Sequence, residues 1–492
     1  MKKTIGLSKS KINAFLQCPK RLWLEVHKHK LLEVTEATKF AFAVGHHVGD
    51  LARAQYPKGI LVGHDDKLSA ALSQTKQLTM SWIQTPIFEA TFQHRSVLIR
   101  ADLLLPWGGA WHMAEVKSSV EPKPYHLNDL AVQSWVATKA GIAVARATVR
   151  HINSSFIYPG GGNYRGLFVD ASVREELREL IPQVPTWVRS ARTTLSGKEP
   201  KRDIGEHCDA PFACPFKTYC RKLAGPQPRY PVGLLPGPKG KRLARALSAD
   251  GIWDLKKAPA DRIDGEQLAR IHEATVTGRA FRDAVGARKI IAGWKYPRAY
   301  LDFETIGFAV PIWKGMKPYQ QVPFQWSCHI ERKDGAVEHR EFLDLSGQDP
   351  SRACAEQLVR DLSACKTIVA YHASTEVGVI KRLAERYPDL RHQLNGMAAC
   401  VRDLLPVVKE HYYHRDMKGS YSIKDVLPTV APGMDYGGLG EVQDGMAAQR
   451  AYAEAIRQST AASRKSDVDN SLRNYCALDS DAMIVVARIL CQ

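Results

Sequence analysis

The sequence predicts a multidomain α/β protein in three parts, and three observations carry that reading. Helical and strand-like patterns alternate from the start of the chain to about Leu223, a run with four prolines (Ala224 to Pro236) breaks them, and β-rich runs return from Tyr296 onward. A length of 492 residues accommodates about three domains. With 45% hydrophobic and 24% charged positions the composition is globular, which excludes fibres, disordered chains and small cross-linked scaffolds. The 69 basic side chains against 51 acidic ones give +18, a surface that attracts polyanions, with nucleic acid the first to consider.

Ten cysteines in so long a chain are too dilute for a disulfide framework, and the opening segment MKKTIGLSKSKINAFLQCPK has no signal-peptide run. A cytoplasmic protein with reduced thiols is expected. No stretch approaches the roughly 18 consecutive apolar residues of a spanning helix, so a membrane role is not expected.

The first part, residues 1–223, contains VLIRADLLLPWGGAWHMAEVKSSV, two strand patterns about a Pro-Trp-Gly-Gly turn. Strand alternation puts Glu115 and Lys117 on one face, and Asp102 on the partner strand can share it. Carboxylates to hold Mg²⁺ or Mn²⁺, with a cation to position water, are what phosphodiester hydrolysis requires. A helical pattern follows with Gln133 on it, and His46 and His47 in FAVGHHVGDLA are further candidate ligands, either of which could serve. Cys18 in LQCPKRLWL and the trio Cys208, Cys214 and Cys220, spaced x5 and x5, suit a soft metal or an iron-sulfur cluster, with a four-thiolate zinc site as the alternative. The other six cysteines read as structural thiols.

Together these motifs resemble the RecB-like iron-sulfur nucleases, which include the CRISPR-adaptation exonucleases and the AddB-type recombination nucleases. The resemblance covers roughly the first 223 residues. It implies a PD-(D/E)xK restriction-endonuclease-like core, catalysis by Asp102, Glu115, Lys117 and Gln133, and a [4Fe-4S] cluster on Cys18, Cys208, Cys214 and Cys220 that staples the two ends of the domain. The Gln-x-x-x-Tyr element of that family reads Gln133-Ser-Trp-Val-Ala137 here.

The second part, 224–294, reads as a linker and helical connector: KGKRLARALSADGI and EQLARIHEATVTGRAFRDAVG carry apolar residues at i, i+3 and i+4. Either a helix-hairpin-helix-like pair or a spacer fits this pattern.

In the third part, 295–492, Asp302 and Glu304 of AYLDFETIGF face one way along a strand while Leu301 and Phe303 face the other. TIVAYHASTEVGVIKRLAERYPDL reads as a strand entering a helix with Ser374 as its cap and Glu376 in the first turn. Tyr475 and Asp479 lie four apart on the last helix and share a face. Four acids and a tyrosine can hold two divalent ions about 4 Å apart. This pattern resembles the DnaQ-like DEDDy exonucleases of the ribonuclease H-like fold, with Glu376 in place of an aspartate and His372 where asparagine is usual. PYQQVPFQWSCHIE, MKGSYSIKDVLP and NYCALDSDAM extend the resemblance to a bacterial family joining such a domain to an iron-sulfur RecB-like one. Lys418, Tyr421 and Lys424 are candidate nucleic-acid contacts.

The resemblance implies a metal-dependent DNA nuclease with two sites, exonucleolytic, 3′ to 5′ at the C-terminal domain, working in DNA repair, recombination or defence against foreign DNA. RNA stays open as a substrate. Two alternatives remain: a single DEDDy site with the RecB-like domain as a DNA clamp, and a non-catalytic nucleic-acid-binding subunit.

Overall fold

A computed structural model of the chain describes residues 6–63, 67–81 and 85–492. It is a mixed α/β protein that divides into two compact units: residues 1–226 with 308–320, and residues 227–307 with 321–492. The connector expected between two domains therefore belongs to the second unit, and a short segment following Gly307 belongs to the first. Among the described residues no helix is long and apolar enough to cross a membrane.

The first unit is built on a seven-stranded sheet: β1 (Leu7–Ser8), β2 (Ile60–Leu61), β3 (Ile87–His94), β4 (Val97–Trp107), β5 (Ala110–Lys117), β6 (Val144–Ile152) and β7 (Phe168–Ser172). Its order is β2-β3-β4-β5-β6-β7, with β1 parallel to the start of β4. The β4–β5 hairpin turns at Gly108 and Gly109, whose φ of 52° and 80° is the left-handed backbone that a tight hairpin needs. The helix Pro124–Lys139 then crosses over so that β6 runs parallel to β5. This helix is buried along Leu130, Ala131, Val132, Trp135, Val136 and Ala137, in one core with Ile99, Ala101, Leu104 and Met113 of the sheet. The segment 308–320 packs Ala309 and Val310 against Ile152, Phe156, Tyr158 and Leu167.

The second unit carries β8 (Phe281–Arg282), β9 (Arg298–Ile306), β10 (Val322–Glu331), β11 (Val337–Leu343), β12 (Thr367–Ala370), β13 (Val401–Asp403) and β14 (Tyr412–Tyr413). Five of these form a sheet in the order β11-β10-β9-β12-β13, antiparallel on the β10 side of β9 and parallel on the β12 side; β8 and β14 pair separately. The 29-residue helix Ala462–Leu490 lies on this sheet. Polar contacts join them: Gln325 Nε2 donates to the Leu472 carbonyl at 2.8 Å, and the Ser327 and Ser480 hydroxyls meet at 2.8 Å.

The connector helices Gly237–Ala249, Glu266–Thr277 and Ala284–Ala292 are secured to the second unit by Asp283, which accepts from His411 Nδ1 at 2.8 Å, and by Arg288, whose Nε donates to the Cys491 carbonyl at 2.9 Å. At Gly419 (φ +80°) a Cβ would fall 1.9 Å from the Leu234 carbonyl oxygen, so only glycine admits the connector there.

Candidate active sites

In the second unit β9 outruns its parallel neighbour: β12 pairs with it only from Arg298 to Tyr300. Asp302 and Glu304 therefore stand beyond the end of β12, at the carboxyl ends of the parallel strands where the strand order reverses, the usual place for ligands in an open α/β sheet. Asp479 approaches from the long helix. Ligand oxygens of Asp302, Glu304 and Asp479 all lie within 4.8 Å of one another, and among the described residues no other group of three or more His, Cys, Asp or Glu meets that distance. A cleft of about 630 Å³ opens over them, lined also by Tyr475, Lys424, His372 and Lys409, and by Pro236, Gly237 and Gln267 from the connector.

The acids crowd one another in a buried place. Burial, then Asp479, Glu304 and Glu376, hold the Asp302 carboxyl well above the usual range. Burial and Asp479 push Glu304 up to about 8, with Lys424 acting against them. Glu376 sits in the first turn of the helix Ser374–Arg386, 4% exposed, pushed up to about 7 by burial, and its Oε2 has no hydrogen-bond partner. It stands outside the 4.8 Å group, yet its charge is felt at Asp302. An orphaned buried carboxylate oxygen beside three clustered acids is a donor set that fits a divalent cation, which would relieve the repulsion and supply the missing partner.

The neighbours order this site. Tyr436 donates to Asp479 Oδ1 at 2.6 Å, and Tyr475 also hydrogen-bonds Asp479. Lys424 Nζ donates to the Tyr475 hydroxyl at 3.0 Å and to the Gln443 carbonyl at 2.6 Å. The buried Cys476 thiol donates to Asp302 Oδ2 at 3.7 Å. Asp403, last residue of β13, accepts from the backbone of His372 (3.0 Å), Ala373 (3.1 Å) and Leu405 (3.0 Å), holding His372 at a φ of +66° at the cleft. The expected cap is displaced by one residue: Ser374 begins the helix and Ala373 caps it, because the Asp403 carboxylate takes the Ala373 amide.

Of the expected nucleic-acid contacts, Lys424 faces the cleft but is tied to Tyr475, and Tyr421 lines it while only 7% exposed, so its ring is packed and not offered to a base. Lys418 is exposed and ends a 3₁₀ turn at φ 49°, outside the cleft lining.

In the first unit the β4–β5 ladder runs to Leu103 opposite Ala114. Beyond it the strands part, and Asp102 Oδ2 takes the Val116 amide at 2.7 Å in place of a backbone carbonyl. Glu115, Lys117, Asp102 and Gln133 converge in this fork. Glu115 is 1% exposed; Lys117 Nζ lies 2.8 Å from its Oε1, and Gln133 Nε2 donates to its Oε2. Lys117 also reaches Asp129 Oδ2 at 2.9 Å.

Lys9 joins them: its Nζ is 2.8 Å and 2.9 Å from the two Glu115 oxygens and 3.6 Å from Asp102 Oδ1. Burial works to raise the Glu115 carboxyl, but Lys117 and Lys9 outweigh it and hold it low; burial and Glu115 push Asp102 up to about 7. As arranged, these carboxylates do not fit a divalent ion, because an ammonium stands between them. His46 and His47 are exposed on the helix Glu36–Ala54 and enter no metal-holding group among the described residues.

Cys18, Cys208, Cys214 and Cys220 line one small cavity, together with Lys20, Arg21, Arg202 and Lys217. Next to Cys18, Gln17 Nε2 donates to the carbonyls of His207 (2.8 Å) and Phe212 (2.7 Å), joining the helix Lys9–Gln17 to the cysteine loop. Burial pushes the Cys214 and Cys220 thiols up, and Cys208 and Cys18 add to it. No three of the sulfurs lie within 4.8 Å of one another.

Residues 299–422 match the family model described as "Domain of unknown function (DUF2779)", a span that includes Asp302, Glu304 and Glu376 and stops short of Tyr475 and Asp479. No curated protein and no solved structure matches the chain.

Proposed function

We propose that this protein is a metal-dependent nuclease whose principal site is the Asp302, Glu304, Glu376 and Asp479 cluster, a DnaQ-like DEDDy centre on a ribonuclease H-like sheet. The observation that carries this reading is the convergence of three carboxylates, the half-buried Asp302 and the buried Glu304 and Asp479, within 4.8 Å of one another on the floor of an open cleft. Four acids with Lys424 as offsetting ammonium are too negative to remain ionised together without added cations. Mg²⁺ or Mn²⁺ held there would activate water and stabilise the leaving oxygen of a phosphodiester. Tyr475, fixed between Lys424 and Asp479, would orient the attacking water, and the connector residues Gly237 and Gln267 would form one wall for the strand.

The first unit is assigned as a RecB-like PD-(D/E)xK domain whose four cysteines hold a [4Fe-4S] cluster. One observation supports the cluster: all four cysteines line one small cavity together with the basic side chains Lys20, Arg21, Arg202 and Lys217. The position of Lys9 between Asp102 and Glu115 favours a second reading of this unit, as a DNA-holding domain with cutting concentrated at the C-terminal site.

The net charge of +18 favours a nucleic acid as substrate, and the resemblance to the DnaQ-like and RecB-like nucleases makes DNA the first choice. The test is cleavage of 5′- and 3′-labelled single- and double-stranded DNA and of RNA with Mg²⁺, Mn²⁺ or EDTA. Stepwise shortening of the 5′-labelled strand with either metal, and none with EDTA, is expected; salt-sensitive binding without any metal-dependent product would replace the nuclease with a binding subunit.

A further inference from the structure

The two acidic sites are neutralised in opposite ways. In the second unit Lys424 is the ammonium that offsets Glu304 and Asp479, and Glu376 Oε2 has no partner. In the first, Asp102, Glu115 and Asp129 share two ammonium groups, Lys9 and Lys117. Lys9 is brought there by the fold. Strand β1 pairs Leu7 with Val97 and Ser8 with Leu98, so Lys9 leaves β1 alongside the stretch of β4 that leads to Asp102. Its Nζ bridges both carboxylates that would share a cation, and like charges exclude one another at such a position. Its side chain is a quarter exposed (25%), and it is the first residue of the helix Lys9–Gln17, so its flexible stem has solvent into which to withdraw.

We propose that Lys9 is an internal counter-ion that competes with a divalent cation for Asp102 and Glu115, so that the N-terminal site takes metal only when the Lys9 side chain swings out. The proposal rests on the reading of Asp102 and Glu115 as a metal site. It makes the site of this unit the more weakly metallated of the two.

Mn²⁺ binding, followed by calorimetry and by the electron paramagnetic resonance of free Mn²⁺, tests it on the full chain carrying Asp302→Asn and Asp479→Asn, which removes the C-terminal ligands. In that background Lys9→Met is expected to tighten Mn²⁺ about tenfold, Lys9→Arg to leave affinity unchanged, and Glu115→Gln to abolish binding. Lys9→Gln is the second neutral variant should Lys9→Met fail to fold by circular dichroism. Equal or weaker affinity in the neutral variants, with Glu115→Gln still abolishing binding, overturns the role of Lys9 and leaves the metal site standing. No Glu115-dependent Mn²⁺ binding in any of these proteins overturns both.

Discussion

The Tyr436 hydroxyl lies 2.6 Å from Oδ1 of Asp479, a carboxylate that Tyr475, one turn earlier on the same helix, also hydrogen-bonds. A hydrogen bond to a charged group contributes about 1.5–3 kcal/mol, and its loss leaves Asp479 held by Tyr475 alone. Tyr436→Phe is therefore expected to lower kcat about tenfold or more while KM for the strand changes little, measured by steady-state release of nucleotides from single-stranded DNA.

Lys424 and Tyr475 form a second such pair. Lys424→Arg keeps a donor near the Tyr475 hydroxyl, whereas Lys424→Met removes it and the cation that offsets Glu304 and Asp479. Cleavage is expected to fall strongly in Lys424→Met and to be partly restored in Lys424→Arg. Equal loss in both would assign Lys424 to a contact that only its own geometry satisfies.

The acids also set a pH dependence. Glu304 titrates near 8 and Glu376 near 7 in the folded metal-free protein, against about 4.5 for an unperturbed glutamate. Between those values the folded state holds more protons than the unfolded state, so stability is full below about pH 4.5 on this account and falls as pH rises through 7 and 8. Thermal melts in EDTA should show Tm declining from pH 6 to pH 8.5, with Glu304→Gln flattening the decline and Mg²⁺ reversing it.

His372 occupies left-handed backbone that a residue with a Cβ rarely adopts, held by the two amide hydrogen bonds to Asp403. His372→Gly is expected to raise stability by about 1 kcal/mol through release of that strain, and to cost activity because the imidazole leaves the cleft. Denaturant unfolding together with the cleavage assay reads both effects.

Much of this architecture was legible in the chain, for reasons that particular residues make plain. Asp302 and Glu304 alternate with Leu301 and Phe303, and Tyr475 and Asp479 repeat at one helical turn, so local periodicity alone puts each pair on a face. Asp129 lies four residues before Gln133 on one helix and carried the same signal. Tyr436, Asp403 and Lys9 had no such signal: each reaches its partner through strand pairing or a long loop, and nothing near them in sequence encodes it. The ring of Tyr421 looked available for stacking because a basic, aromatic-rich segment reads alike whether its rings are packed or exposed. The connector was separated from the C-terminal part by composition, but close approaches such as Leu234 over Gly419 join it to that unit.

The central claim is that Asp302, Glu304 and Asp479 hold the metal that cuts the strand, and the most direct test compares Mn²⁺-dependent digestion of labelled DNA by wild type, Glu304→Ala and Glu115→Ala. Loss of the stepwise product ladder in Glu304→Ala, with the ladder retained in Glu115→Ala, is the predicted result; a ladder undiminished in Glu304→Ala would contradict it.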